Sequence, residues 1–76
     1  MDKQQIAHSL EKEIAIININ LRRLHRIYSQ TIDAHQARDI DDAIQDLAAH
    51  KQKLEKIVEN IVEDARNYPP PFKFGL

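Results

Sequence analysis

The sequence predicts an all-α fold: an antiparallel two-helix hairpin that dimerises into a four-helix bundle, followed by an extended Pro-rich C-terminal tail. Three observations carry that expectation. Leu10, Ile14, Ile17, Leu21, Leu24, Tyr28 and Thr31 recur at steps of four and three, and so do Ile40, Ile44, Leu47, Lys51, Leu54, Val58, Ile61, Ala65 and Tyr68. A repeat of that kind draws one apolar stripe along each of two helices. The single glycine, Gly75, and the prolines Pro69 to Pro71 all fall in the last eight residues, so no strong breaker interrupts the chain before Pro69. Finally, a chain of 76 residues buries only about 60% of its unfolded surface and rarely holds a strong core alone. Without cysteine it has no disulfide to compensate. A second copy is the simplest remaining source of core.

Helix 1 is expected over about residues 3–36. Its segment "AIININLRRL" poses a choice, because Ile14 to Leu21 nearly alternate as a strand does. The alternation slips between Ile16 and Ile17, and "LRRLHRIY" has no period of two, whereas the four-three stripe runs from Leu10 to Thr31. Helix is the better match. At about 100° per residue, Ile16 and Ile27 fall well to one side of that stripe and Ile19 falls nearly opposite it. One partner helix cannot cover them all. Self-association is therefore expected through Ile16 and Ile27, together with Leu10, Ile14, Ile17, Leu21 and Leu24 of the same helix.

The turn is expected at about residues 36–39. Asp39 followed by Asp42 at the third helical position reads as a capped start, and Asp41 adds charge suited to the first turn. A connection that short makes the helices antiparallel neighbours. Folding between Ala37 and Arg38 sets Thr31 against Ile44, Tyr28 against Leu47, Leu21 against Leu54, Ile17 against Val58, Ile14 against Ile61 and Leu10 against Ala65. Leu24 then meets Lys51, the one mismatch. Helix 2 is expected over about residues 40–68, with Ala43, Ala48, Ile57 and Val62 widening its stripe. Lys51 is the one polar member, read either as a snorkelling lysine or as a polar layer that fixes register.

The tail, residues 69–76, begins with three prolines that impose an extended path. Phe72, Phe74 and Leu76 then alternate with Lys73 and Gly75, and both phenylalanines of the protein lie here. Water disfavours such residues. They bury either on the hairpin itself or, as a docking segment, on a protein partner.

Little in the sequence points to chemistry. His8, His25, His35 and His50 contain no pair at i, i+3 or i, i+4, so no metal-gripping pair is expected. His8 and Glu11 run in the order opposite to the Glu-x-x-His of bundle di-iron sites. Glu55, Glu59 and Glu63 read as a solvated helix face. There is no glycine-rich phosphate loop and no cysteine nucleophile, so neither catalysis nor a cofactor is expected. Arg22, Arg23 and Arg26 form the one basic patch. It supports an alternative function, binding of nucleic acid by a helical bundle, although the formal net charge of −1 supplies no global attraction to phosphate. No apolar run approaches the roughly 20 residues a membrane span needs. The opening residues lack the apolar core of a secretory leader. The expected function is that of a non-enzymatic cytoplasmic adaptor or regulator, whose partners are a second copy of itself and another protein.

Overall fold

The computed structural model describes residues 1–67, the side chains of 65–67 aside. It holds two helices, α1 (Lys3–Gln30) and α2 (Ala34–Asn67), packed against each other as a hairpin. There is no strand among the described residues, so "AIININLRRL" lies wholly inside α1. The tail expected over residues 69–76 lies outside the described residues.

Local chemistry sets each helix end. The Asp2 carboxylate accepts from the Gln5 backbone N–H at 2.8 Å, while the Gln5 side-chain oxygen accepts from the Asp2 N–H at 3.1 Å. This reciprocal box satisfies two donors that a helix start leaves without intrahelical partners. At the other end Thr31 is extended (φ −84°, ψ 125°), its N–H donates to the Tyr28 carbonyl at 3.1 Å, and its hydroxyl donates to the Ile27 carbonyl at 2.6 Å. Asp33 then opens α2, its carboxylate accepting from the Gln36 N–H at 2.9 Å.

The turn is thus Thr31 to Asp33, not residues 36–39. Helix 1 ends six residues sooner than expected, and helix 2 begins at Ala34 instead of residue 40. Asp39 is not the cap. It lies inside α2, its carboxylate 3.9 Å from the ring of His35 one turn earlier. The physical reason is legible in retrospect. "DAHQ" at 33–36 repeats the Asp-x-x-Gln spacing of "DKQQ" at 2–5. Thr31 and Ile32, both β-branched, favour the extended backbone just ahead of it.

Moving the turn slides the two stripes. Lys3 Nζ stands 3.5 Å from Asp64 Oδ2, and Ile14 shares a hollow with Glu55 and Val58. The expected register matched residue numbers summing to 75, whereas the Lys3–Asp64 pair sums to 67. The shift is close to one heptad, so the same faces meet but the layers differ. Leu24 comes level with Ile44, which is 6% exposed, and no longer with Lys51. Ile17, 3% exposed, comes level with Lys51 instead of Val58. Ile17 and Ile44 are the buried apolar residues of the described chain; Leu10, Ile14, Leu21, Leu24, Leu47, Leu54, Val58 and Ile61 are half-buried.

Candidate protein-interaction surfaces

The seam of the hairpin uses Leu10, Ile14, Ile17, Leu21 and Leu24, which face α2 and form the intrachain core. Ile16 and Ile27 stay in water, at 51% and 48% exposure. Ile57 of α2 is 44% exposed. The hairpin sense decides where these three sit. In antiparallel helices, residues displaced the same way around each helix from its seam lie on the same side of the pair. At about 100° per residue, Ile16 and Ile27 on α1 and Ile57 on α2 are displaced the same way. They define one broad face, the isoleucine face. Ala43 and His50 of α2 fall on it too, as do Glu13 and Arg23 of α1 and Asp46 and Lys53 of α2. These four charges take part in none of the ion pairs among the described residues.

The opposite side of the seam carries a hollow of about 320 Å³. Ile14 and Val58 form its apolar floor, and Glu11, Glu55 and Glu59 its rim. Glu55 Oε2 lies 4.0 Å from Lys51 Nζ. Val62, 44% exposed, falls on the same side. The four-residue spacing of Glu55 and Glu59 predicts a solvated face of one helix, and the contribution of Glu11 across the seam depends on the register.

Arg22, Arg23 and Arg26 are all exposed; by helical spacing Arg22 and Arg26 lie with Ile19, 43% exposed, on the part of α1 away from α2, while Arg23 borders the isoleucine face. His8, His25, His35 and His50 are exposed as well, and among the described residues no group of three or more His, Asp or Glu side chains is placed to hold a metal ion. Ile32, at 98% exposure, stands at the tip of the turn. Phe72, Phe74 and Leu76 lie outside the described residues. No helix among the described residues is long and apolar enough to cross a membrane. The chain matches no family model, no curated protein and no solved structure.

Proposed function

We propose that this chain is a non-enzymatic adaptor or regulator that acts by protein–protein binding. Two hairpins associate through their isoleucine faces as a cytoplasmic four-helix bundle, and the apolar tail with Phe72, Phe74 and Leu76 binds another protein. The observation that carries the reading is the contrast between the two buried apolar residues among the described ones, Ile17 and Ile44, and the exposure of Ile16, Ile27 and Ile57 on one face. So thin a hairpin gains core by pairing.

Charge favours a second copy as the occupant. Glu13 stands level with Lys53 across the hairpin, and Arg23 stands level with Asp46. A two-fold axis along the helices lays α1 over the partner's α2 and opposes Glu13 to Lys53 and Arg23 to Asp46. A two-fold axis across the helices lays like helices on each other and opposes Glu13 to Arg23 and Lys53 to Asp46. Both arrangements bring unlike charges together, as an isologous interface requires. Light scattering on the purified chain should give twice the mass of one chain. A single-chain mass at high micromolar concentration overturns the reading.

A second reading, nucleic-acid binding, rests on the exposure of Arg22, Arg23 and Arg26 on one side of α1. A salt titration separates the two. Phosphate contacts weaken steeply as salt rises, whereas burial of isoleucine does not.

A further inference from the structure

We infer that the hollow rimmed by Glu11, Glu55 and Glu59 is the intrachain dock of the protein's own tail, with Phe72 and Phe74 over Ile14 and Val58 and with Lys73 among the carboxylates. The inference rests on the reading of the tail as a binding segment and adds a regulation to it: a partner must compete with the hollow for that segment.

Reach is the first argument. α2 ends at Asn67, eight residues beyond Glu59 and nine beyond Val58. At 1.5 Å per residue the hollow therefore lies about 12–14 Å back along the helix from that end. Proline excludes continuation of the helix. A segment that reverses direction there gains about 9 Å from three prolines at 3.1 Å each. Phe72, Lys73 and Phe74 are then the residues at the level of the hollow.

Chemical match is the second argument. The hollow is an apolar floor inside an acidic rim, and Glu11 and Glu59 take part in no ion pair among the described residues. The tail offers the complement in one triplet: two aromatic rings flanking one cation. The rings gain burial that water denies them. The lysine keeps its ammonium near carboxylate and solvent. The isoleucine face lies on the opposite side of the seam, so self-association and tail docking do not exclude each other.

Because Phe72 and Phe74 are the two phenylalanines of the protein, labelling the full chain with 4-fluorophenylalanine reports on the tail alone. At low ionic strength both fluorine signals should lie away from the position they take in denaturant. The variant E11R/E59R should return them to it while circular dichroism stays helical, and adding K73E should restore the shift. Signals at the denatured position in the unaltered chain, or signals unmoved by E11R/E59R, overturn the inference. Labelled chain mixed with excess unlabelled E11R/E59R chain should keep its shifted signals; their loss means the tail docks on the second copy and overturns the intrachain assignment. The parent reading fails separately, if the full chain and a chain ending at Tyr68 capture the same proteins.

Discussion

Lys51 occupies a seam position where every neighbouring member of the stripe is apolar, and it comes level with Ile17, the most buried of the described residues. Its side chain is 28% exposed and its ammonium lies 4.0 Å from Glu55. The stem is covered and the charge is held at the edge, which is how a lysine tolerates such a place. The ion pair is half in water and contributes little on its own. Lys51→Leu should therefore stabilise the hairpin by about 1 kcal/mol, through the apolar area gained in the Ile17 layer. It should also broaden the distribution of oligomeric states, because a polar seam residue penalises wrong partners. Denaturant melts and sedimentation of the variant check both, and an unchanged melt places the stem outside the seam. Ile17→Ala should cost roughly 3 kcal/mol, the range for truncating a buried aliphatic residue, while Ile19→Ala should change stability by less than about 0.5 kcal/mol. Equal effects at the two positions contradict the burial pattern.

At the scale of the element, two aspartates compete for one role. Asp33 and Asp39 both precede helical sequence, and both are the kind of residue that caps a helix. Choosing between them sets the register, and the apolar pattern cannot help. A heptad stripe slid by seven residues meets its partner on the same face, so a turn at 36–39 gives layers nearly as apolar as those observed. What breaks the tie is local: the Thr31 hydroxyl and N–H closing α1, and the Asp-x-x-Gln repeat opening α2. The existence of two helices and the faces they bury were thus legible from the four-three spacing, while register was not. Ile16 and Ile27 were legible as surplus by angular arithmetic within one helix. Ile57 joined them only when the antiparallel sense of the hairpin was known. Glu11 joined Glu55 and Glu59 only when the register was known. The cap assignment has a direct check. Asp33→Ala should destabilise the hairpin by about 1 kcal/mol, and Asp39→Ala by much less. The reverse order in thermal melts contradicts the turn described here.

For the whole molecule, the question is how a hairpin with two buried apolar residues among those described, Ile17 and Ile44, stays folded. Ordering each residue costs about 1–2 kcal/mol of backbone entropy, and a core of Ile17 and Ile44 with a half-buried margin returns little against that for a chain of this length. The proposed association would change the balance in two ways. A second copy would cover Ile16, Ile27 and Ile57, each worth roughly 1.5–3 kcal/mol when fully buried, twice over in a symmetric pair. It also makes stability a matter of mass action, since a partner that binds only the folded form holds the folded form in place. The midpoint of thermal unfolding should therefore rise with protein concentration. In I16K/I27K the pair should be lost, because two lysines on each face leave four added charges to be desolvated and opposed across the interface. That variant should run as a single chain, melt at a lower temperature than the unaltered protein, and show a midpoint independent of concentration. A variant that still doubles its mass, or an unaltered protein whose midpoint is flat across a hundredfold range of concentration, means that the isoleucine face does not join two copies.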